Sequence, residues 1–285
     1  MNWQTREIAP GLYLVATPLG NARDITLRAL DLLAGADVLA AEDTRSLRRL
    51  MDIHGVPLGE RPLIAYHDHN GARARPRLMA ALEAGQSVVY ASEAGTPLIS
   101  DPGFDLMRAA LQAGVPCTTA PGPTAAVAAL TLSGLPSDRF LFAGFLPTSA
   151  GKRKSALSEL VGVPATLIFY ESPKRLGAML RDAVEVFGPD RAAVVCRELT
   201  KKFEERSAGG LDELARKYAD ESPKGEIVVL IDRGAGPVTD ATTVEAALQE
   251  ALTRLSVKDA ASEVSAIFGI SRRDAYQMAM ALGKN

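Results

Sequence analysis

Four loops in the first half of the chain combine small, polar and rigid residues at the points where apolar runs end. The runs at 11–17, 37–41, 87–91 and 115–119 are predicted strands, and they lead into TPLGN, AEDTR, SEAGTP and APGPT. Ligands bind at the carboxyl ends of strands in a parallel sheet, and Gly and Pro let a rigid backbone approach a ligand closely. Gly and Pro also simply end strands. Four such loops at consecutive strand ends nevertheless favour a ligand-binding site.

A second set of polar strand ends lies in the second half of the chain. Glu171 and Arg175 occur in YESPKR, and Arg197 and Glu198 occur in RELTKK. Glu226 follows later, in KGE. Two interpretations stay open. These residues form structural ion pairs between domains, whose contact faces are commonly polar, or both sets of loops line one cleft that holds a small molecule.

Several well-known site motifs are missing. No G-x-G-x-x-G follows the first predicted strand, and the stretch from Gly144 to Lys152 has the wrong spacing for a P-loop, with Arg153 where Ser or Thr is required. The chain has no G-x-S-x-G and no H-E-x-x-H, which argues against a serine hydrolase and a zinc peptidase. The HDH stretch at 67–69 lacks further matched ligands, so we expect no metal site.

The composition indicates a globular protein with two domains. The chain has 285 residues, of which 47% are hydrophobic. Its formal charge of −2 excludes a globally basic protein, so a nucleic-acid partner would need a local basic patch. The N-terminus lacks the apolar core of a signal peptide, and no apolar run reaches the roughly 20 residues that span a membrane. We therefore expect a cytoplasmic protein.

Apolar and amphipathic runs alternate along both halves of the chain, which predicts an α/β fold with a largely parallel first sheet covered on both faces. In the first half, the predicted strands add 63–66 to the four above, and the predicted helices lie at 24–33, 44–54, 80–83, 104–113 and 124–132. In the second half, the predicted strands lie near 140–145, 165–170, 191–197 and 227–232, and the predicted helices near 154–161, 175–187 and 211–218.

The stretch SGLPSDR at 133–139 interrupts this alternation and is the predicted hinge between the domains. We predict one α/β domain at 1–133, a second at 134–233 and, after a linker that begins at Gly234, a helical segment at 243–285.

Within the helical segment, the residue pattern at 256–281 is typical of a helix-turn-helix. Gly269 would lie in the turn and Ser271 would cap the second helix, with Arg272 and Arg273 in its first turn.

Ten short stretches, in order along the chain, resemble the tetrapyrrole methylase superfamily and, within it, the group of small-subunit ribosomal RNA methyltransferases. They are TPLGNARDITLRAL, AEDTR, HDHN, SEAGTPLISDPG, PGPTAAVAAL, GLPSDRF, GFLP, TLIFYESPKRL, RELTKKFEE and KGEIVVLI. The resemblance runs from Gly11 to about Gly283. The sequence departs from the family at Glu93, where Asp is usual. The resemblance therefore places the backbone of Gly95-Thr96-Pro97 but assigns no role to residue 93.

This resemblance implies two α/β domains of the tetrapyrrole methylase type with S-adenosylmethionine in the cleft between them. By position, the implied cofactor contacts are Leu19, Gly20, Gly95, Thr96, Ile99, Gly122, Pro123, Thr124, Tyr170, Glu198, Gly225 and Glu226.

The reaction that the resemblance implies is 2′-O-methylation of a cytidine in 16S ribosomal RNA near the decoding centre. Aligning the reactants can supply several kcal/mol of the barrier. A ribose hydroxyl ionises far above neutral pH, so a base within hydrogen-bond reach is needed. The sequence leaves the catalytic residue open among Glu42, Asp43, Glu171 and Glu198, with Lys201 or Arg175 as partner of the developing alkoxide.

Basic residues on predicted loops and helix starts are the candidate RNA contacts. Each alone is typical of a solvated surface, but together they would contact several phosphates and make binding sensitive to salt. The resemblance also implies a homodimer that acts on the assembled small subunit. The candidate RNA contacts are Arg45, Lys152, Arg153, Lys174, Arg175, Lys202, Arg272 and Arg273.

Two other functions stay open. The first is methylation of a corrinoid or another tetrapyrrole, but a small planar anion would need neither the basic clusters nor the helical segment. The second is a helix-turn-helix nucleic-acid-binding protein whose α/β domains only sense a ligand. The polar strand-end loops and the near-neutral helical segment argue against it, since that segment carries five basic and six acidic residues from Pro237 onward.

Overall fold

The computed structural model of the chain describes residues 3–4, 6–100, 103–219, 223–233, 241–268 and 270–282. Two five-stranded sheets, each packed against helices, precede three further helices in these residues. The predicted α/β fold with a helical C-terminal segment is confirmed.

The first sheet consists of parallel strands in the order β3-β2-β4-β1-β5. It is parallel throughout, as the alternation of strands and helices predicts. The fifth strand begins two residues later than the predicted start at 115, because Pro116 cannot donate to the ladder. The strands are β1 (Gly11–Val15), β2 (Val38–Ala41), β3 (Leu63–Ala65), β4 (Ser87–Ala91) and β5 (Cys117–Ala120).

Helices cover both faces of the first sheet. Successive side chains of β4 point to opposite faces, so Val89 and Ala91 pack under one helix pair while Val88 and Tyr90 pack under the other. Helices α1 and α2 lie on the first face, and α3 and α4 lie on the second. The helices are α1 (Leu27–Gly35), α2 (Thr44–Ile53), α3 (Gly71–Glu83) and α4 (Phe104–Gln112).

The second sheet is mixed, with the order β6-β7-β10-β8-β9. Only β6 and β7 pair in parallel, whereas β10 is antiparallel to both β7 and β8. The strand β9 was not predicted, because its sequence ERSAGG has no apolar alternation and only Ser207 is buried. The strands are β6 (Phe140–Phe145), β7 (Thr166–Glu171), β8 (Ala192–Arg197), β9 (Glu205–Gly210) and β10 (Ile227–Ile231).

Helix α5 (Ala125–Ser133) packs against the second sheet although it precedes the predicted hinge. Its Ala129 and Leu130 share a core with Ile168 and Leu230. The other face of this sheet packs against three helices of the second half. The domain limits 1–133, 134–233 and 243–285 therefore remain predictions. The three helices are α6 (Ala150–Ser158), α7 (Leu176–Phe187) and α8 (Leu211–Lys217).

The C-terminal segment forms three helices that share a small core, α9 (Ala241–Leu252), α10 (Val257–Phe268) and α11 (Arg272–Leu282). The predicted cap is confirmed, because the Asp274 amide donates to Ser271 Oγ at 3.0 Å. Gly269 and the linker at 234–240 lie outside the described residues. In the part of the chain that is described, no helix has the length and apolarity needed to cross a membrane.

A buried ion pair joins α6 to α7. Arg153 Nε donates to Asp182 Oδ2 at 2.6 Å, and both side chains are less than one-tenth exposed. Removing one partner of a buried pair leaves an uncompensated charge, which is costly because the interior solvates it poorly.

We expect Asp182→Asn to lower the free energy of unfolding by about 3 kcal/mol. The matched control is Asp212→Asn, which removes an exposed pair with Arg216 and should cost less than about 1 kcal/mol. Urea unfolding followed by circular dichroism measures both. Equal losses in the two variants would contradict the assignment of Arg153 as a structural cation.

Candidate active site

A cleft of about 390 Å³ lies between the carboxyl ends of the first sheet and the polar loops of the second. Loops after β1, β2 and β4 line one side, and the loops after β7 and β8 and the loop before β10 line the other. Because β10 is antiparallel to β7 and β8, its first residue Ile227 lies opposite Glu171 and Arg197, which end those strands. The KGE stretch therefore reaches the cleft although it precedes its strand.

Most of the predicted cofactor contacts line this cleft. Gly20 instead lines a neighbouring groove. Gly122, Pro123 and Glu198 do not line the cleft, although Pro123 O accepts a hydrogen bond from Thr96 Oγ1, a lining residue, at 3.0 Å. The predicted contacts that line the cleft are Leu19, Gly95, Thr96, Ile99, Thr124, Tyr170, Gly225 and Glu226.

Close backbone contacts fix the loops around the cleft. The Asn21 amide donates to Thr200 Oγ1 at 3.1 Å, which joins a loop of the first sheet to a loop of the second. A Cβ on Gly20 would lie 2.2 Å from Lys201 Cγ, so the two loops approach this closely only because residue 20 is glycine.

Backbone strain is concentrated in the same loops. Among the described residues, the non-glycine residues with positive φ are Leu98, Ser100, Glu198 and Thr200. All four lie between β4 and α4 or directly after β8. Such strain costs on the order of 1–3 kcal/mol per residue and persists where the surrounding structure holds it, which is common at functional sites.

A charged network holds the loop after β8 against the start of β10. Lys201 Nζ donates to Glu198 Oε1 at 2.8 Å and to Glu226 Oε2 at 3.0 Å. Burial alone would lower the pKa of Lys201, but these hydrogen bonds outweigh it and the pKa is raised. The hydrogen bond from Lys201 lowers the pKa of Glu198. Lys201 and Glu198 therefore position Glu226 and remain charged at neutral pH.

Carboxylates from both sides line the cleft. The Glu93 amide lies 3.4 Å from Glu42 Oε2, and both residues line the cleft together with Glu226. Burial raises the pKa of Glu93, and the neighbouring carboxylates, Glu42 first, raise it further. Such a site attracts a cation and repels an anion. Glu93 has no predicted role from the sequence, but its position among the lining residues makes it part of this site.

Glu171 is the most buried carboxylate that lines the cleft. Its side chain has no exposed surface, and its Oε1 accepts from the Ser172 amide at 2.8 Å. Its Oε2 has no hydrogen-bond partner within the described residues. Burial raises the pKa of Glu171 because the charged form is poorly solvated there. The Arg175 guanidinium, 3.2 Å away, partly opposes this rise.

The catalytic candidates separate into lining and supporting residues. Glu42 and Glu171 line the cleft. Asp43 instead caps α2 by accepting from the amides of Arg45 and Ser46. Its hydrogen bonds with Arg45 lower the pKa of Asp43 to about 2, so it is a poor base.

Two of the predicted RNA contacts, Arg153 and Arg175, have partners inside the protein. Arg153 is buried against Asp182, and its Nη1 donates to Thr148 O. Arg175 Nη2 donates to the carbonyl oxygens of Leu146 and Pro147. Both residues lie in sequence among other basic residues, and only the packing reveals their partners. The other predicted RNA contacts, Arg45, Lys152, Lys174, Lys202, Arg272 and Arg273, are exposed.

Several lining residues were not singled out from the sequence. Phe145 is 56% exposed at the end of β6 and lines the cleft, as do Ser172 and Leu199. Phe145 and Ser172 lie in the GFLP and ESP stretches, so the resemblance was the signal that could have indicated them. Within the residues that the structure covers, no three His, Cys, Asp or Glu side chains are grouped to hold a metal ion.

Comparison with known protein families defines the class of this fold and cleft. Residues 11–215 match the family model described as Tetrapyrrole (Corrin/Porphyrin) Methylases. Residues 238–283 match the model described as RsmI C-terminal HTH domain. The two sheets and the cleft between them are thus those of a tetrapyrrole methylase-type methyltransferase.

Curated relatives narrow this class. The ribosomal RNA small subunit methyltransferase I of Mesorhizobium japonicum is 48% identical over 97% of this chain and 94% of its own length. The protein of the same name from Escherichia coli O157:H7 is 41% identical over 94% of each chain. The chain belongs to the ribosomal RNA small subunit methyltransferase I family.

Solved structures of lower identity share the fold. Uroporphyrin-III-C-methyltransferase from Thermus thermophilus matches with a TM-score of 0.55 and 22% identity, over 79% of this chain and 94% of that one. The cobalt precorrin-4 methyltransferase CbiF matches with a TM-score of 0.59 and 17% identity, over 78% of this chain and 94% of that one. The predicted tetrapyrrole methylase fold is confirmed.

The charged network predicts a special requirement for glycine at residue 225. Gly225 has a φ of +100°, and a Cβ there would lie 2.3 Å from the Glu198 carboxylate. We expect Gly225→Ala to lower the free energy of unfolding more than Gly188→Ala. Gly188 also has a positive φ, of +90°, but no atom lies within 4 Å of its Cβ position. Gly188→Ala therefore measures the cost of backbone strain alone, roughly 1–3 kcal/mol. Thermal unfolding measures both; a smaller loss at residue 225 would contradict the close contact.

Proposed function

We propose that this chain methylates the 2′-hydroxyl of a cytidine in 16S ribosomal RNA near the decoding centre, with S-adenosylmethionine as methyl donor. The observation that carries this proposal is the extent of the similarity. The relatives named ribosomal RNA small subunit methyltransferase I match more than nine-tenths of the chain, and the match includes the C-terminal helices. A shared fold alone would support a tetrapyrrole substrate equally well.

The cleft fits S-adenosylmethionine by its chemistry. When bound, this cofactor supplies a methyl group made electrophilic by a positively charged sulfonium. Glu42, Glu93 and Glu226 give the cleft the negative charge that a cationic ligand needs. Leu19, Ile99, Leu199, Ile227 and Val228 provide an apolar wall for a nucleoside.

Glu171 is the base that removes the ribose proton in this proposal. The carboxylate is held by the Ser172 amide through Oε1, which leaves Oε2 to accept a proton. Its raised pKa brings it closer to the operating pH, which makes it a stronger base than an ordinary glutamate. Because the Glu171 side chain has no exposed surface, this proposal requires that RNA binding moves the wall of the cleft and brings the ribose hydroxyl within hydrogen-bond reach of Oε2.

The RNA is bound by exposed cations outside the cleft. Lys152, Lys174 and Lys202 lie on the second domain, and Arg272 and Arg273 begin α11. Their placement on separate elements suits a folded RNA surface better than a short oligonucleotide. The assembled small subunit is therefore the proposed substrate, in the cytoplasm where ribosomes are built.

The proposed functional form is a homodimer. Strand β6 is an edge of the second sheet, and its Phe140 and Phe145 are 46% and 56% exposed. An exposed apolar edge strand is normally covered by another surface, because it otherwise promotes aggregation. Light scattering of the purified protein measures the mass in solution, and a monomer would contradict this part of the proposal.

The central experiment is transfer of labelled methyl from S-adenosylmethionine to small ribosomal subunits purified from a strain that lacks this gene. We expect one 2′-O-methylcytidine, located by mass mapping of nuclease fragments. Free 16S RNA and uroporphyrinogen III are tested in parallel. Transfer to the tetrapyrrole but to neither RNA substrate would contradict the proposal and support the corrinoid alternative.

The raised pKa of Glu171 predicts the pH dependence of catalysis. The base acts when ionised, so kcat/KM should fall as the pH is lowered through this pKa, with an inflection above the ordinary value of 4.5. Glu171→Gln should lower kcat by roughly 10²–10⁴-fold and remove this inflection, while cofactor binding and thermal stability are retained. Glu42→Gln is the control from the same cleft. An unchanged profile in Glu171→Gln, with the inflection lost in Glu42→Gln, would assign the base to Glu42.

A further inference from the structure

A second groove, of about 180 Å³, lies directly beside the cleft. It runs between the loop after β1 and helix α2, and Thr17, Pro18 and Gly20 line it on the loop side. Glu93 lines both the groove and the cleft, so the two adjoin at this residue. A chain that enters the cleft can therefore extend into this groove.

Helix α2 presents free cations along this groove. Arg49 lines the groove, and Arg48 precedes it on the same helix; both side chains are exposed. Neither has an ion pair or hydrogen bond with any residue in the described part of the chain, unlike Arg45, which pairs with Asp43. An exposed guanidinium without an internal partner is available for a phosphate, which it binds through two parallel hydrogen bonds.

The groove also has an apolar side. Ile53, one turn after Arg49 on α2, is 58% exposed and lines the groove together with Leu50. A large aliphatic side chain exposed beside an arginine matches the two parts of a nucleotide, since the base is flat and apolar on its faces and the phosphate is anionic. A purely electrostatic surface would have no use for the exposed isoleucine.

The charge of the cleft explains why a phosphate site must lie outside it. Glu42 and Glu226, which line the cleft and not the groove, repel phosphate groups, so the cleft admits the ribose and base of the target while the adjoining phosphates stay at its rim. Sequence-specific recognition of RNA uses unstacked nucleotides in single-stranded regions, so the neighbours of the target nucleotide are available as single strand. Arg49 lies on the α2 side of this rim, where the groove adjoins the cleft at Glu93.

We propose that this groove binds the nucleotide next to the methylated one in single-stranded RNA. Arg49 binds its phosphate and Ile53 packs against its base. This inference rests on the proposed function for the identity of the RNA, and it adds a binding site that positions the target.

The test compares Arg49→Ala, Ile53→Ser and the control Arg108→Ala. Arg108 is also exposed, but it lies on α4, on the opposite face of the first sheet. Methylation of small subunits is measured at several salt concentrations, cofactor affinity by calorimetry, and binding of a short single-stranded RNA by fluorescence anisotropy.

We expect Arg49→Ala to raise the KM for RNA about tenfold with kcat nearly unchanged, and to reduce the salt slope of binding by about one. Ile53→Ser should raise KM and leave the slope unchanged, because it removes no charge. Arg108→Ala should change neither, and all three variants should bind S-adenosylmethionine as the unaltered protein does.

Unchanged KM and slope in Arg49→Ala would overturn the inference, and so would weaker cofactor binding, which would make the groove part of the cofactor site. Equal binding of single-stranded DNA with the same dependence on Arg49 would overturn the assignment to RNA. If the unaltered protein methylates no RNA yet binds the oligonucleotide through Arg49, the proposed reaction fails while the groove assignment stands.

Discussion

The antiparallel insertion of β10 between β7 and β8 is the constraint on which the site depends. In an all-parallel sheet the start of β10 would lie at the far end, and Gly225 and Glu226 would be a strand length away from Glu171. The observed register places Ile227 opposite both Glu171 and Arg197. Three loops that are distant in sequence therefore meet at one edge, where they face the strand ends of the first sheet across the cleft.

The charges around this edge are divided between two tasks. Lys201 compensates Glu198 and Glu226, which keeps the loop after β8 in its strained conformation. The remaining carboxylates make the cleft selective for a cationic ligand, and buried Glu171 lies among them with a raised pKa. Because this potential repels nucleic acid, the cations for RNA must lie on the rim and beyond it. A protein with a formal charge of −2 can then act on a polyanion.

Much of the fold was predictable from local patterns. Apolar runs of strand length, helices with one apolar face and the Ser271 cap all follow from interactions within a few residues. Eight of the cofactor contacts that the resemblance implies line the cleft. Strand β9 could not be predicted, because an edge strand with only one buried side chain shows no alternation of apolar and polar residues. The packing of α5 on the second sheet also escaped it, since its sequence AAVAALTLS is apolar on all sides and indicates no particular partner.

The sequence by itself determined most of the element types, the loops rich in Gly, Pro and polar residues, and the family. Tertiary structure alone decided which charged residues are free to act. Arg153 and Arg49 each adjoin another basic residue, yet the first is buried against Asp182 and the second is exposed beside the cleft. Asp43 and Glu42 are neighbours, yet one caps a helix and the other lines the site. The physical reason is that the pKa and availability of a charge depend on desolvation and on partners from distant segments, which no local pattern records.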